Sequence, residues 1–379
     1  MTGETRWRAR VIDVLRGSHV FGQLEEAVLA ALVGEVRQAS ARAGYYAMCA
    51  PEVLGGMGMG YLAWYGAWEQ IAESCEGRMW LGEATVSHWA MGPSPVLEHL
   101  TEEARHRVLP GMMAGETTMC FGMSEPDAGS DAMMMKTRAV ADGEGWRLSG
   151  SKIWTTNSPY ADYCIVFAVT DPEAAAARKG GISAFLVPTN APGYLVARLE
   201  DKMGQHSSDT AQILFENCRV SAANLIGEEG QGLKIALSGL EGGRIGIAAQ
   251  SVGMARAAFE VALAYSKERV AFGQPIFEHQ AVQFRLAEMA TQIEAARQLI
   301  HHAASLKDAG RPCLKEAAMA KLNASEMAER VCSAAIQTLG GYGYVSDFPV
   351  ERIYRDVRVC QIYEGTSDVQ KILIGRALA

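Results

Sequence analysis

Apolar residues recur at three- and four-residue spacing through the first third of the chain. "QLEEAVLAALVGEVRQASARAG" predicts a helix stopped by Gly44. "PEVLGGMGMGYLAWYGAWEQIAESC" predicts a Gly-rich loop followed by an amphipathic helix. "TEEARHRVLPGMMAGE" opens on Thr101, Glu102 and Glu103, which suit the first turn of a helix, and Pro110 and Gly111 predict its end. After Glu116 the period shortens. "TTMCFGM", "WRLSGSKIWTT", "DYCIVFAVT", "GISAFLVP", "GYLVARL" and "TAQILFENCRV" are rich in β-branched and aromatic residues and are separated by Gly, Pro, Asn and Asp, which predicts strands joined by turns. From Gly230 the helical period returns in three long runs. The first contains Gly239, Gly242, Gly243 and Gly246; each costs about 1 kcal/mol relative to alanine inside a helix, so a packing or ligand reason is expected. Strands gathered between two helical blocks predict α+β rather than alternating βα. The expected domains are an N-terminal helical domain (1–116), a middle β-barrel or β-sandwich domain (117–228) and a C-terminal helical bundle (229–379).

Composition narrows the function. The 379 residues are 49% hydrophobic and 21% charged, enough for a sizeable core. The net charge of −8 argues against nucleic acid as the main partner. Eight cysteines at irregular spacing, with no CxxC pair, read as reduced and mostly buried. Glu103 and His106 form an ExxH without a second copy, so no metal is expected. No run is apolar and long enough for a membrane span, and the N-terminal arginines are interrupted by Glu4 and Asp13, so a cytoplasmic protein is expected.

Several segments carry candidate chemistry, each with a plainer alternative. "GGMGMG" and "GGYGY" do not complete the GxGxxG spacing between strand and helix, which argues against a nicotinamide-binding Rossmann domain. "FGMSEPDAGSD" leaves a strand as a loop whose backbone N–H groups, Ser124 and Ser130 suit an anion or polar ligand; alone, it is an ordinary turn. In "SKIWTTN", strand alternation puts Trp154 and Thr156 on one face, a ring and a hydroxyl suited to a flat heterocycle, or a core tryptophan. Arg269 in "YSKERVAFGQPIFEHQ" suits a phosphate, or merely favours the helix dipole.

In this order and at these separations, "FGMSEPDAGSD", "KIWTTN", "LEGGRIGIAAQSVG", "RVAFGQPIFEHQ", "IQTLGGYGY" and "YEGTSD" resemble the acyl-CoA dehydrogenase family, closest to its short- and medium-chain branch, over nearly the whole chain. The resemblance implies three domains, helical, β and four-helix, with FAD held between the last two and part of each site supplied by a neighbouring subunit of a homotetramer. It implies flavin contacts at Phe121, Met123 and Ser124, and Trp154 and Thr156 beside the isoalloxazine. It places Arg269, Phe272, Gln280 and Gln337 to Gly341, including Gly340, at the adenine and pyrophosphate half, and Thr366, Ser367 and Asp368 at the last FAD contacts. Ser130, Glu241, Arg244, Tyr363 and Gly365 fall at positions along the acyl-CoA thioester. Ala271 departs from relatives that carry a hydroxyl there, a difference of one neutral hydrogen bond, about 1 kcal/mol.

The implied reaction is α,β-dehydrogenation of an acyl-CoA, or acyl-carrier, thioester to the trans-2-enoyl product. A base takes the α-proton, hydride passes to flavin N5, and an electron-transfer flavoprotein accepts the electrons. Glu364 is the expected base, because burial beside Tyr363 would raise its pKa toward neutrality. Its plainer role is a first-turn acid favoured by the helix dipole. A minority branch places its base immediately before the arginine of the "LEGGR" segment; that residue here is Gly243, which cannot act. His88, Trp89 and Met91 fall where relatives build the far end of the acyl pocket, with Trp89 favouring a short or branched chain, and no arginine there suits a second carboxylate. An oxidase, an enoyl-thioester reductase and a non-catalytic flavoprotein homologue are the competing readings.

Overall fold

The computed structural model describes residues 38–74, 95–206 and 208–379. The N-terminal part of the first expected helix, and the candidate pocket residues His88, Trp89 and Met91, lie outside the described residues. Two compact units emerge. The described part of the first comprises 38–58, 95–201, His206 and 208–240; that of the second comprises 59–74, 202–205 and 241–379.

The elements in chain order are helices α1 (Tyr61–Ser74) and α2 (Glu102–Met113) and strands β1 (Met119–Gly122), β2 (Arg138–Ala141), β3 (Gly145–Thr156) and β4 (Tyr163–Val169). A short α3 (Pro172–Ala176) precedes β5 (Ile182–Pro188), β6 (Tyr194–Leu199), β7 (Thr210–Ser221) and β8 (Leu225–Ile226). Then come α4 (Gly232–Glu268), the hairpin β9 (Val270–Ala271) and β10 (Gln274–Pro275), α5 (Gln280–Asp308), α6 (Leu314–Leu339), α7 (Val350–Val357) and α8 (Ser367–Arg376).

The first unit is built on an eight-stranded sheet in the order β6-β7-β3-β2-β4-β5-β8, with β1 pairing parallel to β4. Two of its strands, β4 and β5, are buried on both faces, which is why "YCIVFAV" and "ISAFLVP" read as continuous apolar runs instead of alternating ones. One core packs Ile165, Phe167, Leu186 and Met119 against Val108, Leu109 and Met112 of α2. A second packs Cys164, Val166, Phe185, Val187 and Phe215 with Leu148. The Thr101 hydroxyl caps α2 by accepting the Ala104 N–H at 3.2 Å. The expected stop at Pro110 and Gly111 does not occur: α2 continues to Met113 with Pro110 inside it. Met112, fully buried, draws this last turn into the core, and that burial offsets the hydrogen bond the proline lacks.

The six expected strands are all present. β2, β8 and the two-residue β9 and β10 were not expected, being too short to show a period. Among its described residues, the hairpin is the only β structure of the second unit. Buried alanines recur along α6 (Ala317, Ala320, Ala324, Ala328, Ala335) and let α5 and α6 approach closely. Trp64 and Trp68 of α1, both buried, stack at 6.4 Å between ring centroids. Asp308 caps α1 from the end of α5, accepting the N–H groups of Tyr61 (2.6 Å) and Leu62 (3.0 Å). Among the described residues, no helix is long and apolar enough to cross a membrane.

Candidate active site

Seven non-glycine residues among those described have φ in the left-handed region, and three are expected site residues: Trp154 (+54°), Phe272 (+54°) and Glu364 (+53°). That conformation is uncommon for any side chain and unfavourable for an aromatic one, costing about 1–3 kcal/mol. Such strain gathers where a side chain must be aimed at something.

In the first unit, Trp154 lies at a bulge. The β3–β7 register shifts between Lys152 and Thr155, and beyond the bulge the buried Thr155 separates the more exposed Trp154 and Thr156, as the same-face expectation requires. Thr155 turns into the core, Trp154 is 62% exposed, and Thr156 is half-buried with its hydroxyl 3.2 Å from that of Thr210. Phe121 packs on Phe167 with ring centroids 5.0 Å apart. Ser130 is exposed at the end of its loop.

Beneath that loop is a group the sequence reading missed. Lys152, with no exposed surface, donates to Glu125 Oε1 at 2.8 Å and to the Met123 carbonyl at 3.1 Å. Glu125 also accepts the backbone N–H groups of Lys136 and Thr137. The Ser124 carbonyl accepts the Ile153 N–H at 2.9 Å. A buried ion pair thus ties the Phe121–Ser124 segment to the strand carrying Trp154. Burial raises the Glu125 pKa, but Lys152 and the two N–H donors more than offset it and leave the carboxyl below the ordinary range; burial also lowers Lys152, against the pull of Glu125. The signal available in the sequence was the single lysine of the strand "GWRLSGSKIWTT".

In the second unit, Arg269, Gln337, Gly340 and Gly341 line one open cleft of about 550 Å³, together with Tyr265, Tyr342 and Val345. The β9–β10 hairpin turns on Phe272 and Gly273, both with positive φ as a tight two-residue turn requires, and carries the Phe272 ring outward at 97% exposure. Gln280 begins α5. His279 Nε2 lies 3.2 Å from the Ala271 carbonyl, so backbone, not a hydroxyl, is what position 271 offers.

Glu364 sits where "YEGTSD" turns into α8. Gly365 follows it at φ +88°, and a Cβ there would stand 2.8 Å from Gln370 Nε2, so only glycine suits both the backbone and the space. The Thr366 hydroxyl caps α8 by accepting the Val369 N–H at 3.3 Å, whereas Ser367 Oγ is buried without a partner. Asp368 is exposed, and the Tyr363 hydroxyl lies 3.6 Å from Cys360 Sγ. Glu364 Oε2 is enclosed and accepts no hydrogen bond. Burial raises its pKa to about 7, against the pull of Arg244 and Lys321. Arg244 is 5% exposed, its Nε has no partner, and burial lowers its pKa.

Three of the four glycines singled out in α4 now have reasons. A Cβ on Gly243 would stand 2.6 Å from Glu364 Oε2; on Gly242, 2.7 Å from the Tyr61 hydroxyl; on Gly246, 2.4 Å from the Trp64 ring. Position 243, the base position of the minority branch, therefore faces the Glu364 carboxyl. Gly243→Ala should cost little stability, because the flexible carboxyl end can yield and alanine favours the helix by about 1 kcal/mol. The carboxyl is displaced, so the variant's rate of cofactor reduction should fall with its melting temperature unchanged or raised; an unchanged rate would separate Glu364 from the chemistry. Glu241, expected at the substrate, pairs with Lys307 at 2.8 Å and lies 3.7 Å from Cys313 Sγ.

The second unit thus holds an enclosed, unpartnered Glu364 oxygen on a carboxyl raised to about 7 and an arginine- and glycine-lined cleft, and the first presents a strained, exposed indole. Comparison with known proteins identifies the family. The profile of the acyl-CoA dehydrogenase N-terminal domain matches residues 24–116, that of the middle domain 120–218, and that of the C-terminal domain 230–379. The human mitochondrial short-chain specific acyl-CoA dehydrogenase is 44% identical over 331 residues, 87% of this chain and 79% of its own. Acryloyl-CoA reductase (NADH) of Anaerotignum propionicum is 42% identical over 331 residues, 86% of this chain and 82% of its own. Among solved structures, butyryl-CoA dehydrogenase from Megasphaera elsdenii superposes with a TM-score of 0.85 at 36% identity, covering 100% of this chain and 98% of that one. The chain belongs to the acyl-CoA dehydrogenase family of FAD-dependent oxidoreductases.

Proposed function

We propose that this protein oxidises an acyl-CoA thioester to its trans-2-enoyl product, with Glu364 as the base that removes the α-proton. The observation that carries this reading is the enclosed, unpartnered Glu364 oxygen with its pKa raised to about 7. A solvated carboxylate is too weak a base for an α-proton; one buried to a near-neutral pKa is matched to the task. Arg244 lies close enough to favour the ionised form without ion-pairing it into inactivity. The backbone N–H of Glu364 is the chain's donor to the thioester oxygen as negative charge develops there. The residues assigned to the thioester are Tyr363, Gly365, Glu241 and Arg244 in the second unit and Ser130 in the first.

FAD, when bound, supplies the two-electron acceptor for the β-carbon. The residues that would hold it are Phe121, Met123, Ser124, Trp154 and Thr156 in the first unit. In the second they are Thr366, Ser367 and Asp368, with Arg269, Phe272, Gln280, Gln337, Gly340 and Gly341 serving its adenine and pyrophosphate half. The exposed Phe272 and the open cleft lined by Arg269 suit a group shared with another copy in a homotetramer. An electron-transfer flavoprotein is the proposed electron acceptor.

The test is anaerobic titration of the yellow protein with straight and branched acyl-CoA thioesters. Bleaching by a saturated thioester, with slow reoxidation in air, is expected. Rapid peroxide release would make it an oxidase, and a colourless protein that takes up no FAD would sink the enzymatic reading. The resemblance to acryloyl-CoA reductase (NADH) favours one further reading, an enoyl-thioester reductase. That reading predicts faster oxidation of the reduced protein by an enoyl-CoA than reduction by the saturated thioester.

A further inference from the structure

Glu364 and Gly365 are successive left-handed residues, so their carbonyls point away from any helical ladder and need donors of their own. Two side chains without exposed surface supply them. Gln370 Nε2 donates to the Glu364 carbonyl at 3.0 Å and to the Gly365 carbonyl at 2.8 Å. Lys321 Nζ, from the N-terminal third of α6, donates to the Gly365 carbonyl at 2.7 Å. A buried ammonium given to a neutral carbonyl is a costly choice, since an uncharged side chain of similar length would fill the same volume more cheaply. The cation must therefore serve something beyond packing, and what it lies beside is the Glu364 carboxyl.

We propose that Lys321 is a positioning residue for Glu364: with Gln370 it clamps the Glu364–Gly365 turn, holding the carboxyl against Gly243, and its charge favours the ionised base. The proposal rests on Glu364 being the base. The charged groups acting on that carboxyl are Arg244 from α4 and Lys321 from α6, and Cys360 of the preceding stretch acts on Lys321. Arg244 carries a second positive charge. The Cys360 thiol is raised by burial and stays neutral. Burial lowers Lys321 to about 8, which leaves it cationic at neutral pH, where Glu364 begins to ionise. Nothing local in the sequence marks Lys321, which lies 43 residues before the base in a helix of alanines.

The experiment compares the FAD-loaded parent with Lys321→Met, which removes donor and charge, and Lys321→Gln, which retains a donor. Three quantities are read: the anaerobic rate of flavin reduction by butyryl-CoA across the neutral pH range, the dissociation constant of that thioester, and amide exchange of residues 359–368. For Lys321→Met the expected results are bound FAD, unchanged thioester affinity, a reduction rate lower by on the order of 10–100-fold, a higher pH midpoint and faster local exchange. Lys321→Gln should regain part of the rate and of the exchange protection but keep the raised midpoint, because only the charge is missing. A folded, yellow Lys321→Met protein with the parent's rate and midpoint overturns the proposal. So does failure of both variants to fold, which would make Lys321 a purely structural group. If no thioester reduces the parent, the proposed function fails instead; local exchange still tests the clamp, and parental exchange in Lys321→Met removes it.

Discussion

Glu364→Gln is expected to keep its yellow cofactor and lose reduction by substrate, the rate falling by about 10²–10⁴-fold, the usual contribution of a positioned general base. The carboxamide has nearly the same shape but no basic lone pair. Folding should not suffer. The folded-state pKa of about 7 lies above the ordinary carboxylate value, so the folded protein binds the Glu364 proton more tightly than the unfolded chain does. This group's contribution therefore declines as pH rises from about 4.5 to about 7, and above that range ionised Glu364 destabilises the fold. Removing its charge should leave the melting temperature at pH 8 equal to the parent's or higher, as expected where activity is maintained at the expense of stability. In the parent, the reduction rate should drop tenfold per pH unit below about 7, and the glutamine variant should lack that limb. Reduction of Glu364→Gln at a rate close to the parent's would exclude Glu364 as the base.

The second large effect is expected far from that carboxyl in sequence, at Lys152→Met. This change leaves Glu125 buried without its cation, and breaking a buried pair on one side costs about 3–5 kcal/mol. It also frees the Met123 carbonyl, so the loop expected at the flavin loosens. The readouts are a lowered urea midpoint and faster FAD loss on dilution. Glu125→Gln combined with Lys152→Met should regain part of the stability: the uncharged amide oxygen can still accept one of the N–H groups of Lys136 and Thr137. A single variant as stable as the parent would mean that the pair is not buried as described.

The strands and long helices were legible because their apolar periods are 2 and about 3.6 over many residues. β2, with four residues, and the two-residue β8, β9 and β10 exist through pairing with neighbours, which no local period records. Pro110 misled for a related reason: a local breaker was outweighed by burial of Met112 in a core assembled from distant segments. The Trp154 and Thr156 pairing rested on strand alternation, which the buried Thr155 between them keeps, whereas the bulge that sets the Trp154 backbone depends on the register with β7.

The candidate residues divide in the same way. Glu364, Arg244, Trp154 and Arg269 were nameable from ordered motifs, since each motif carries its chemistry in adjacent residues. Lys321, Gln370, Lys152 and Glu125 were not, because a positioning role depends on which carbonyl or carboxyl a side chain meets, and their partners come from other elements or from the next turn of helix. By itself, then, the sequence determined the succession of helical, β and helical blocks and the chemical groups on offer. Only tertiary structure decided that Gly243 faces the Glu364 carboxyl, that this carboxyl is enclosed and so titrates near neutrality, and that two buried side chains hold its turn. Local periodicity specifies which face of an element is apolar; pKa and orientation depend on solvent exclusion and on partners brought together by folding.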